Sequence, residues 1–236
     1  MVVMVVPIVA MIMPAAAVFT VLMVVLMGFA AHRASLCTVR AVADAIHHRR
    51  FGMLLSFVRA ALWTAAVAGV LIVVFGLPQP PIPAREPLAW AVCGGFLFGV
   101  GAAINGGCSL STLHRLADGD TSMMLTLAAF CAGIAAWSAV EAGGVATTLS
   151  ALPSPWTGAR RWAALGLVAL LAWCGLELRS MMRAAAPGTP WRERVRTPSY
   201  PLPVAAAMLG VAGGVLYTVE GAWSYTNYLR ATVSHL

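Results

Sequence analysis

Two of the five cysteines in this 236-residue chain, Cys37 and Cys108, stand where the sequence changes character. Cys108 follows Asn105-Gly106-Gly107 and precedes Ser109-Leu110-Ser111-Thr112, and Cys37 lies between Ser35 and Thr38. Glycine takes backbone angles that other residues avoid. Gly106 and Gly107 therefore read as a break, with Cys108, Ser109 and Ser111 in the first turn of a new helix. A first turn carries N–H groups without intrahelical partners and the positive end of the helix dipole, which together make an anion site. The hydroxyls of Ser109, Ser111 and Thr112 add donors. A thiolate repels an anion, whereas a protonated S–H is a weak donor suited to a soft, sulfur-bearing acceptor. A dry constriction keeps a thiol protonated. These residues point to contact with a sulfur oxyanion that has a terminal sulfur, such as thiosulfate, rather than chloride or sulfate.

The other thiols, Cys93, Cys131 and Cys174, lie in apolar runs and read as small packing residues. No two cysteines form a CxxC pair, and no Cys/His spacing suits a metal. Neither a disulfide framework, a metal site nor a cofactor is expected.

The elements that must position these thiols are apolar. Hydrophobic residues make up 61% of the chain and charged residues 10%, against about 25% charged in ordinary soluble domains. Such a surface is solvated by lipid. Uncharged runs cover Met1–Ala31, Ala60–Ala84, Pro87–Leu113, Thr121–Val140, Trp162–Leu176 and Thr197–Val219, and roughly 20 apolar residues cross a bilayer as a helix. The expectation is an all-α integral membrane protein, one domain over residues 1–236. It has about six hydrophobic helices plus short broken or re-entrant helices. A helix broken inside lipid is tolerated only where the break lines a cavity or is buried by protein.

The first span is predicted to end near Gly28-Phe29. Ala31 to Ile46 is too short and too charged to cross, and reads as a short amphipathic or re-entrant helix with Ser35 as its N-cap and Cys37 in its first turn. Residues 77–83 form a proline-rich loop, Ala117 to Thr121 a turn and helix start, and residues 142–159 and 179–203 further loops.

The formal charge is +7 and every basic residue is arginine. A basic chain suggests nucleic acid, but the placement of the arginines fits the positive-inside rule, and no nucleic-acid partner is expected. With the amino terminus outside, one face carries Arg33, Arg40, Arg49, Arg50, Arg59, Arg115, Arg179, Arg183, Arg192, Arg194 and Arg196, and the other only Arg85, Arg160, Arg161 and Arg230. Arg33 and Arg40, beside the first break, are placed to gather anions. No basic leader with a small-residue cleavage site opens the chain. Glu141, Glu177 and Glu220 fall at span ends. Trp90, Trp156, Trp162, Trp223 and Tyr225 fit an aromatic belt.

Two segments share a plan: an apolar helix, Gly-Phe, small residues, a cysteine, then a short helix with arginine. They run from Gly28 to Arg40 and from Gly95 to Arg115. Broken segments in corresponding halves of a chain point to a transporter site.

Gly95-Phe96-Leu97-Phe98-Gly99-Val100-Gly101 through Gly106-Gly107-Cys108-Ser109-Leu110-Ser111-Thr112-Leu113-His114-Arg115-Leu116 resembles the signature of the YeeE/YedE sulfur transport family. Gly28-Phe29 with Arg33-Ala34-Ser35-Leu36-Cys37-Thr38-Val39-Arg40-Ala41 resembles that family's other cysteine segment. Gly213-Gly214-Val215-Leu216-Tyr217 with Gly221, Trp223 and Tyr225 is similar, more weakly, to the opening of its second half. The resemblance implies a multi-pass protein of the inner (plasma) membrane with pseudo-twofold halves. It implies uptake of thiosulfate, or of a related sulfur or selenium compound, along a cysteine-lined path. A small TusA-like sulfur carrier is the implied partner. The expected substrate-binding residues are Cys37, Cys108, Gly106, Gly107, Ser109 and Arg33. Full-length relatives carry another cysteine-bearing broken helix in their second half, so the chain reads as a fragment, a degenerate paralogue, or a short form that completes its path by pairing with another chain, with a homo-oligomer among the expected partners. Two alternatives stand beside transport: a membrane-embedded sulfur-relay enzyme that forms a persulfide on Cys108, and a non-transporting helper of a full-length relative.

Overall fold

The computed structural model describes residues 5–78, 88–140, 160–184, 197 and 199–221, and the regular structure among them is all helical. In chain order the helices are α1 (Val5–Arg33), α2 (Thr38–His47), α3 (Gly52–Val73), α4 (Leu88–Asn105), α5 (Ser109–Ala117), α6 (Met123–Val140), α7 (Arg160–Ala184) and α8 (Leu202–Glu220). Six segments among the described residues are long and apolar enough to cross a membrane. The chain is an all-helical, multi-pass membrane protein. The expected loop at 142–159, most of the proline-rich loop, residues 185–196, Glu141, Trp156, Trp223 and Tyr225 lie outside the described residues, as do the side chains of Trp90 and Trp162.

Three boundary expectations change, the first being the loop expected at 179–203, which is shorter because α7 runs on to Ala184 and α8 begins at Leu202. The first span does not stop at Gly28-Phe29: α1 runs on to Arg33. Alanines at 30 and 31 and the absence of proline let the helix continue. Ser35 is not an N-cap. It sits in the left-handed region with φ 49°, and Cys37, extended at φ −141° and ψ 124°, caps α2 instead. The turn needs two residues more than the Ser35 reading gave it. α2 has 10 residues and α5 has 9, both with one apolar and one polar face.

The described helices group into two compact units. One contains α1, α8 and most of α3 and α7. Its core is the face of α8, where Ala205, Ala206 and Ala212 are fully buried. A Cβ at Gly210 would collide with the Trp63 side chain and come within 2.6 Å of the Ala60 carbonyl. At Gly214 it would lie 2.7 Å from Val67 Cβ and 2.9 Å from the Thr64 carbonyl. Gly210-xxx-Gly214 therefore lets the backbones of α8 and α3 touch, the close approach that small residues permit between helices in lipid. Thr64 Oγ1 donates to the Gly210 carbonyl across this contact at 3.2 Å. Arg59 of α3 pairs with Glu177 of α7 at 3.2 Å, and Trp63 meets Trp173 edge to face with ring centroids 6.3 Å apart. Glu177 thus has a partner rather than standing free as a span-end charge.

The second unit contains α2, α4, α5 and α6, where α2 packs on α4 and α5 on α6. This unit holds Cys37 and Cys108.

Candidate functional site

The site begins where α4 stops. Gly106 N–H donates to the Ala103 carbonyl at 3.2 Å and Gly107 N–H to the Ala102 carbonyl at 3.0 Å. These two bonds make a Schellman ending, which needs a left-handed residue just past the helix. Gly106 supplies it at φ 70°. Gly107 is required for a different reason: a Cβ there would run into Ser111 Oγ. The Asn-Gly-Gly motif thus ends one helix and leaves room for the first turn of the next.

Cys108 then extends (φ −76°, ψ 171°) and caps α5, and its carbonyl accepts the Thr112 N–H at 3.0 Å. Cys108 is 6% exposed and Cys37 9%, so neither thiol is turned outward from the protein. The Cys108 sulfur faces the N–H groups of Leu110 and Ser111 at the start of α5. It also faces the N–H and the hydroxyl of Thr38 at the start of α2. Its side chain makes no short capping hydrogen bond. Two helix starts, one from each cysteine-bearing break, therefore converge on one sulfur. Thr38 brings them together, a role beyond the simple neighbour of Cys37 that the sequence reading made it.

The breaks repeat one local design. In each, a left-handed residue stands two positions before the cysteine (Ser35 and Gly106), the cysteine is extended, and a short helix begins at the next residue. Both short helices carry a histidine in the last turn, His47 in α2 and His114, with Arg115, in α5.

The hydroxyls divide differently from expectation. Ser111 Oγ donates to the Cys108 carbonyl at 2.9 Å, and Thr112 Oγ1 donates to the same oxygen at 3.3 Å. In a dry turn a hydroxyl satisfies itself on the nearest carbonyl, so neither proton is spare for a ligand. Ser109 instead lines a cavity of about 340 Å³ beside the break. Leu97, Phe98, Leu127 and Phe130 form its apolar wall, and Asn105, Gly107, Ser109, Thr112 and Thr126 its polar end. The break thus has two sides, the cavity with Gly107 and Ser109, and the side where Thr38 meets Cys108. Asn105 and Thr126 were not read as site residues from sequence. A polar Asn closing an apolar helix was the only available sign.

Arg33 belongs to the other unit. Its guanidinium donates to the Thr197 carbonyl at 3.0 Å and lies 5.3 Å from the centre of the Phe29 ring, and its own carbonyl accepts the Tyr200 N–H at 3.1 Å. Among the described residues no group of three or more His, Cys, Asp or Glu side chains is placed to hold a metal.

Beyond α5 the chain turns at Gly119 (φ 96°). Asp120 accepts the Ser122 hydroxyl and pairs with Arg115 at 2.8 Å. The Ser122 hydroxyl, then Arg115, hold its carboxyl below the ordinary value.

Comparison of the sequence with curated proteins and with solved structures gave no match. A model of the family described as Sulphur transport matches residues 33–235, which contain both cysteine breaks and every helix after α1. With that match on the motifs that form the two breaks, the chain belongs to the sulphur transport (YeeE/YedE) family.

Proposed function

We propose that this protein takes up a small sulfur anion, thiosulfate, across the inner membrane, and that Cys108 and Cys37 touch it in passing. The observation that carries this reading is the convergence of the starts of α2 and α5 on the Cys108 sulfur. Two positive dipole ends attract an anion without a fixed cation to trap it. A dry thiol between them offers a weak donor to the terminal sulfur. Gly106 and Gly107 shape the turn, and Ser109 offers its hydroxyl to an oxygen of the anion from the cavity side. Arg33, whose guanidinium is held by Thr197 and Phe29, is the anion-gathering residue that the sequence suggests. A TusA-like carrier collects the sulfur on the cytoplasmic side, an assignment that follows from the family resemblance.

The test is growth on thiosulfate. In a host lacking its own uptake system, with thiosulfate as sole sulfur source, the wild-type chain restores growth, Cys108→Ala abolishes it and Arg33→Gln only slows it. No rescue by the wild type, or full rescue by Cys108→Ala, overturns the reading.

A further inference from the structure

Asn105 closes α4, and its carboxamide joins three segments. Nδ2 donates to the Gly107 carbonyl at 3.1 Å and to Thr112 Oγ1 at 2.8 Å, while Oδ1 accepts the Thr126 hydroxyl at 3.3 Å. The donors run in one direction. Thr126 of α6 donates to Asn105, Asn105 to Thr112 of α5, and Thr112 to the carbonyl of Cys108 at 3.3 Å. Head-to-tail hydrogen bonds polarise one another. This line ties α6 to the residue that carries the thiol. Both Nδ2 protons are used, so Asn105 has no donor left for an anion and is not itself a ligand. Thr112 is buried, and the line closes the polar end of the cavity.

We infer that Asn105 is a positioning residue that fixes the Cys108 thiol against the start of α2 and so sets the affinity for the passing anion. The inference rests on the reading that Cys108 meets substrate. An asparagine that merely ended α4 would affect only how much folded protein accumulates. One that holds the thiol in place also changes the encounter between thiol and ligand.

The experiment compares Asn105→Ala and Thr126→Val with the parent chain in lipid nanodiscs and proteoliposomes. One reading is thiosulfate uptake per folded molecule. The other is the rate at which a small methanethiosulfonate labels Cys108, read by peptide mass spectrometry. Loss of a buried hydrogen-bonded strut predicts a KM for thiosulfate raised about tenfold in Asn105→Ala, with Vmax changed about twofold or less. The labelling rate at Cys108 changes severalfold. Thr126→Val, which removes one bond, shifts both in the same direction by less. A KM and labelling rate at parental values, with only the yield of folded protein reduced, overturn the inference. If Asn105→Ala does not accumulate, Thr126→Val decides by the same two readings. Parental uptake in Cys108→Ala defeats the substrate reading instead, and the labelling rate still decides whether Asn105 positions the thiol.

Discussion

At the scale of residues, the site depends on two adjacent glycines with separate duties. Gly106 holds a left-handed angle, where an added side chain costs about 1–2 kcal/mol, and Gly107 makes room for Ser111 Oγ. The two costs predict different rescues. Gly107→Ala collides with a movable hydroxyl, so Gly107→Ala combined with Ser111→Ala recovers much of the lost thermal stability. The strain of Gly106→Ala is in the backbone, and Ser111→Ala leaves it uncorrected. Melting of the four purified variants in detergent checks this; equal rescue of both glycine variants refutes the assignment. The cysteines and the glycine break were legible in the sequence because glycine pairs and thiols in apolar runs carry strong local meaning. Asn105, Thr126 and Thr38 were not, because their roles come from partners 21 or more positions away or on another helix. Ser111 and Thr112 were misassigned as donors to a ligand because a hydroxyl's nearest acceptor, the Cys108 carbonyl, appears only once the turn is folded.

At the scale of elements, uncharged length placed the helices well, and end signals placed their limits less well. α1 outran its expected end, and the start of α2 moved from Ser35 to Cys37 because cap geometry, not residue type alone, selects the capping position. The sequence carried Gly214 only within a weak resemblance and did not single out Gly210, yet both press on α3, while Gly99 of α4 has nothing within 4 Å among the described residues. Gly214→Leu therefore disrupts the α3–α8 contact and lowers the yield of monodisperse protein in fluorescence size-exclusion chromatography, and Gly99→Leu does not. A similar profile for both counts against this packing. The turn between α5 and α6 predicts a pH dependence. Asp120 has a folded-state pKa below its unfolded value, chiefly through the Ser122 hydroxyl and then Arg115. Its contribution to stability is complete above the unfolded carboxylate value of about 3.9 and is lost as pH falls through the lower folded value. Hydrogen exchange in residues 116–122 should rise only in that acidic window, and Arg115→Gln should move the rise to higher pH. A rise near neutrality contradicts the assignment.

At the scale of the whole molecule, composition alone fixed the solvent. Ten per cent charged residues cannot dress a surface for water, and α4 and α6 expose Phe96, Leu97, Ile104 and Leu125 at 70, 70, 83 and 78%. Nitroxides at Ile104→Cys and Leu125→Cys in bilayers should relax more strongly with oxygen than with a water-soluble nickel chelate. The reverse order contradicts lipid contact at these faces. The pseudo-repeat, read weakly from Gly-Phe and Cys spacing, is plainer in backbone angles than in letters, since Ser35 and Gly106 adopt the same hand two places before each thiol.

That shared hand has an unequal cost. Glycine enters it freely, whereas serine is held there against about 1–2 kcal/mol of steric opposition. The bend at Ser35 is a loaded spring and the bend at Gly106 a slack joint. On warming, the turn bearing Cys37 is expected to open before the one bearing Cys108, an order that hydrogen exchange at the two turns checks.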